Sequence, residues 1–202
     1  MSIIIETAAQ LKDFINDVII TNNSATNITS HVDGSKKWSD VKANIFLKQE
    51  TTYDLTGTTY TVGALWGSLG GTNAWKNGSG TAGSAGTGLF TFDGQDSVIK
   101  NFLLNGSATD KNGFFSGEFH ANVKNVSFED CFVYGTNDIA VVAGNAIGDD
   151  TTELSQRPYF KDIRVINSRI RGMENIGSVV GMGTNVAYIN KCQVIKTKEP
   201  GN

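Results

Sequence analysis

The sequence predicts an all-β chain wound as a parallel β-helix, with one α-helix over its first turn. Three observations predict it: a segment that recurs with its apolar skeleton intact, a composition rich in turn formers, and helical periodicity confined to the N-terminus. Residues 121–135 read ANVKNVSFEDCFVYG, and residues 158–172 read PYFKDIRVINSRIRG. Strand-forming segments that repeat along a chain imply a solenoid, in which each turn buries its apolar side against its neighbours.

A chain of 202 residues is long enough to bury a sizeable core, and it is read as one domain over 1–202. Gly is abundant at 23 residues while Pro numbers 2, a mix that suits short strands and tight turns. The net charge of −3 and the scattered Lys and Arg give no basic footprint, so no nucleic-acid partner is expected. No apolar run is long enough to span a bilayer, and no membrane insertion is expected. The N-terminus MSIIIETAAQLKDFINDVII lacks a basic n-region and a small-residue cleavage site, so it is not read as a signal peptide. Synthesis in a cytoplasm follows, with both cysteines reduced.

Taken in order, the elements begin with a helix over 7–20. Thr7 and Gln10 have capping-box spacing, and Leu11, Phe14, Ile15, Val18 and Ile19 share one face. Its polar face lacks the Lys/Arg enrichment of membrane-surface helices, so it is expected to cap the core. Asn44–Lys48 alternates as a strand, and Tyr53–Gly57 ends in a turn signal. A Gly-rich region spans 63–88. Then Ile99–Leu104, Val123–Phe128 and Phe160–Val165 align as copies, with Ala187 and Ile189 in a weaker fourth. This alignment gives a period of 24 (123 − 99) and one interval of 37 (160 − 123), so a loop of about 13 residues is expected within 145–158. It places Val126, Phe128, Ile163 and Val165 inside, with Ser127, Glu129, Arg164 and Asn167 nearer solvent. Cys131, Ser168 and Cys192 fall on successive turns, too far apart for the two sulfurs to bridge. A second strand recurs in Gly113–Gly117, Ile139–Gly144 and Ile176–Gly181.

The segments ETAAQLKDFINDV, TTYDLTG, FTFDGQDSVIKNFLLNG, NVKNVSF and NIGSVVGMG resemble proteins carrying the GLUG motif, across about residues 3–195. The resemblance implies a right-handed parallel β-helix and a surface or attachment role of bacterial or phage type. The strand DIAVVAG, the 63–88 stretch and the 145–158 loop depart from that pattern.

No residue set has the form of a catalytic constellation, and no cofactor is implied. Two carboxylates across a sugar-sized cleft would permit glycoside hydrolysis. Asp149, Asp150 and Glu153, with Arg157 beside them, are the candidates, and the simpler reading of that loop is a solvated surface. Asp93 and Asp96 flank Gly94, where a turn is the simplest role. His31 and His120 lack partners at metal-ligand spacing. Trp38, Trp66 and Trp75, with Tyr60, could stack on sugars, anchor an interface or form a satellite core. The candidate ligand or partner contacts are therefore Trp66, Trp75, Asp149, Asp150, Glu153 and Arg157. After Val194-Ile195 only KTKEPGN remains, so the C-terminal end of the stack is expected to be uncapped and to meet a neighbouring subunit, the alternatives being a further domain or an end blunted by twist and by Lys196 and Lys198. The expected function is a non-enzymatic virion component of a bacteriophage (fibre, spike or capsid decoration), forming a homo-oligomer or joining other virion proteins. The alternatives are a glycan-binding module at the bacterial cell surface and a small glycan-cleaving enzyme.

Overall fold

A computed structural model describes residues 2–15, 44–61, 90–106, 110–148 and 154–197. These form a mostly β chain with one short helix, and every strand pairing among them is parallel. An antiparallel sandwich is thereby excluded for these residues.

The first strand, β1 (Ser2–Ile5), leads into α1 (Ala8–Phe14). Thr7 caps the helix as its spacing predicts, the Gln10 N–H donating to the Thr7 side chain and the Gln10 side chain accepting from the Thr7 backbone. Leu11, Phe14 and Ile15 are buried, and Phe14 lies 6.0 Å from the ring of Phe92. The rest of the expected helix, with Val18 and Ile19, lies outside the described residues.

The main sheet orders β1, β2 (Asn44–Leu47), β5 (Thr91–Lys100), β8 (Asn122–Glu129), β12 (Tyr159–Ile166) and β16 (Tyr188–Asn190). Alongside them, β3 (Thr52–Asp54) pairs with β5 and β17 (Gln193–Ile195) with β12. A second sheet stacks β4 (Thr59–Thr61), β6 (Leu103–Asn105), β9 (Phe132–Tyr134) and β13 (Arg169–Arg171). A third stacks β7 (Phe115–Phe119), β11 (Ala143–Ile147) and β15 (Val180–Thr184), while β10 (Asn137–Ile139) pairs with β14 (Glu174–Ile176). The chain visits the sheets in turn and returns to the first one layer further on.

The register makes columns of equivalent side chains. Ile3, Ile45, Phe92, Val123, Phe160 and Ile189 form one, and Tyr53, Ile99, Phe128, Val165 and Val194 another. Val126, Phe128, Ile163 and Val165 are buried as expected, whereas Ser127, Glu129, Arg164 and Asn167 are half-buried or exposed. Phe114 packs edge-on against Phe102, Phe115 and Phe128, tying the layers through the centre.

Columns also form at the corners, from residues with left-handed backbone. Asn125, Asp162 and Lys191 make one, and Asn101, Asp130 and Asn167 another. Asn and Asp tolerate this conformation, and their side chains tie adjacent layers: the Asn101 amide donates to Asp54 at 2.9 Å and the Asn125 amide to Asp93 at 3.0 Å. Gly144 is required in β11, because a Cβ there would stand 2.2 Å from the Lys111 carbonyl carbon.

The period of 24 is corrected by the register. Ile99 pairs with Phe128, not Val123, so that interval is 29 (128 − 99), and Ile189 pairs with Phe160, again 29 (189 − 160). Both expectations slipped by five residues, the spacing between the two left-handed corners of each layer (130 − 125 and 167 − 162). Five of these six corners follow an apolar-x-Asn/Asp sequence, with Lys191 the exception, so the motif ending at Asn101 fits either corner. The 37-residue interval holds, but its excess is 8 (37 − 29). Ile147 pairs with Thr184 and Tyr159 with Tyr188, so the extra residues fall within 148–158, and Asn145–Ile147 belongs to β11. Ile139–Gly144 is likewise not one strand, since a buried corner separates β10 from β11.

Ser168 does stack over Cys131, its Oγ accepting the Cys131 N–H at 3.0 Å. Cys192 does not join that column. It falls one residue before Gln193, which pairs with Arg164, and so lies over Ile163. Both cysteines are free thiols.

Candidate functional site

The ladders are sealed at one end and open at the other. Ile3 and Ile5 in β1 are 2% and 0% exposed, whereas Ile189 and Val194 are 53% and 65% exposed. Ile176, Met182 and Tyr188, each on the last strand of its sheet, are also exposed. The Tyr188 ring stacks on that of Tyr159 at 5.1 Å and 10°, continuing a column that runs down through Asn122, Thr91 and Asn44.

An open cleft of about 900 Å³ sits beside the last layer, with Phe132, Val165, Val194 and Ile195 among its apolar groups and Asp130, Arg169 and Lys196 among its polar ones. It borders β13, which pairs with β9 and with no second strand among the described residues. Arg169 and Arg171 point outward and are exposed, while Ile170 packs partly into the core. The guanidinium of Arg171 lies 5.3 Å from the centre of the Tyr134 ring one layer below, a cation–π contact. On the rim, Lys100 pairs with Glu129 at 3.1 Å and Asp130 at 3.2 Å.

Charge is divided along the chain in the same direction. Residues 154–202 hold eight Lys/Arg and three Asp/Glu, whereas residues 1–153 hold nine and seventeen. The open end is therefore basic. Lys and Arg are thus not evenly scattered, and the polarity is contained in a count of the two parts of the sequence.

Of the candidate contacts, Trp66, Trp75, Asp149, Asp150 and Glu153 lie outside the described residues, as do Trp38 and His31. Arg157 is half-buried at the base of the insertion, its N–H donating to the Leu154 carbonyl at 3.1 Å, and its Cα would stand 3.0 Å from a Cβ on Gly148. It is a packed part of the loop's closure. Tyr60, considered as a sugar platform, is a core residue, 2% exposed and 5.3 Å from the Phe102 ring. Burial pushes its hydroxyl up to about 12. Asp93 is buried and structural: it pairs with Lys124 at 3.0 Å and accepts the Gln95 N–H at 3.0 Å, forming a bulge rather than a free turn.

Burial pushes the Cys131 thiol up to about 12, so it holds no thiolate at neutral pH. Among the described residues no three His, Cys, Asp or Glu side chains are grouped to hold a metal. No helix among them is long and apolar enough to cross a membrane. Comparison with known protein families, curated proteins and solved structures found no match.

Proposed function

We propose that the chain is a right-handed parallel β-helix serving as a non-enzymatic structural or attachment component of a bacteriophage virion, assembled with other subunits through its open end. The observation that carries this reading is the asymmetry of the ladders: apolar columns buried at β1 emerge uncovered at β16 and β17. A contiguous apolar patch on a strand edge invites a protein contact. Right-handed crossovers are the strong preference where parallel strands are joined within one sheet. The resemblance to GLUG-motif proteins supports the same hand and a setting at a bacterial or phage surface.

The test is fractionation of infected cultures, with mass spectrometry of purified particles. The chain is expected in intact virions at a fixed ratio to the major structural proteins. Recovery only in the envelopes of uninfected cells would instead place it among cell-surface modules. Depolymerisation of a bacterial polysaccharide by the purified protein would refute the non-enzymatic part.

A further inference from the structure

Resting on that assembly reading, the geometry points to the nature of the partner at the open end: an extended, acidic segment of another protein, added as a strand to the free edge of β13. In the β9–β13 pair the Arg169 N–H donates to the Cys131 carbonyl at 2.8 Å, and the Gly135 N–H donates to the Arg171 carbonyl at 3.0 Å. A parallel ladder alternates, so the N–H and C=O of Ile170 face the opposite side, where no described strand pairs with β13. An incoming strand would meet them there, as in β-strand addition to exposed sheet edges.

The side chains specify what that strand carries. Its residue opposite Ile170 continues the buried column of Tyr60, Leu104 and Val133, and an aliphatic side chain matches its nearest members, Val133 and Ile170. The residues on either side stand over Arg169 and Arg171, both exposed, where carboxylates give charge-assisted hydrogen bonds. The pattern is therefore acidic–aliphatic–acidic. The sequence at 198–200, Lys-Glu-Pro, does not have it, since it puts a base in the first acidic place, an acid in the aliphatic place and a proline without a donor in the last. Tail-to-tail pairing with a second copy would set two basic ends together, and head-to-tail pairing would offer β4, whose Thr-Tyr-Thr carries no acid.

The experiment is fluorescence anisotropy with the full chain and a labelled, end-blocked peptide alternating Glu and Val, against one alternating Lys and Val. The Glu–Val peptide is expected to bind, at least tenfold more tightly at about 50 mM than at about 500 mM salt, with Lys–Val weaker by a similar factor. Arg169→Glu/Arg171→Glu should reverse this preference, with unchanged far-UV circular dichroism confirming the fold. Arg164→Glu, on the main sheet, should leave it intact. An unreversed preference, or an equal loss with Arg164→Glu, overturns the proposal. An oligomer dissolved by the double substitution but indifferent to Glu–Val peptide overturns it too, while leaving the assembly role standing.

Discussion

The two ends of the stack use the same residue types on the same columns and reach opposite outcomes. Ile3 and Ile189 share a ladder, yet one is 2% and the other 53% exposed. The difference lies in what covers the ladder. At the first layer Leu11, Phe14 and Ile15 contribute the apolar surface of α1, and the Tyr53 hydroxyl donates to the Ile5 carbonyl. At the last layer the described residues provide no such cover. An apolar side chain in a stack is therefore stabilising only in proportion to the layer laid over it.

Substitutions at the two ends break this comparison most sharply. Phe14→Ala should cost about 3–5 kcal/mol by removing a buried ring from the sealed end, whereas Val194→Ala should cost less than about 0.5 kcal/mol. Urea unfolding of the two variants checks both, and equal losses would contradict the account.

Alkaline pH sharpens the contrast between the thiols. The folded pKa of Cys131 lies at about 12, above the ordinary value of 9.0. Its contribution to stability is thus complete below the unfolded pKa and is lost as pH rises from about 9 towards 12. Cys131→Ala should flatten that part of the stability profile. In native protein a thiol reagent should modify half-buried Cys192 first and reach Cys131 only in denaturant.

A smaller effect is expected at the seal itself. Thr7→Ala removes the helix cap and should cost about 1 kcal/mol in the same urea experiment. The smallest is at Asp54, whose carboxyl is held down to about 2, chiefly by the Asn101 amide and the Thr56 hydroxyl. A depressed folded pKa stabilises above the unfolded value, so this contribution is lost as pH falls from about 4 to 2. Asp54→Asn should lessen the acid sensitivity slightly, read as a shallower loss of melting temperature across that window.

The sequence made the stacking legible through its apolar skeleton, since Val123, Val126 and Phe128 recur as Phe160, Ile163 and Val165 in the observed register. The step between other layers was not legible, because two corners five residues apart use similar Asn/Asp sequences and period-2 alternation restarts after each left-handed residue. The candidate site escaped that slip, since the 37-residue interval sets Arg169 and Arg171 over Phe132 and Tyr134. Local pattern did not show that β13 lies at the edge of its sheet among the described residues.

The register can be tested directly with paired cysteines in a Cys131→Ser/Cys192→Ser background. Val98 and Ser127 are lateral neighbours in adjacent layers, whereas a 24-residue period would instead place Leu103 beside Ser127. Under mild oxidation, Val98→Cys/Ser127→Cys should form an intramolecular disulfide identifiable by peptide mass, and Leu103→Cys/Ser127→Cys should not. A bridge from position 103 with none from position 98 would contradict the layered account.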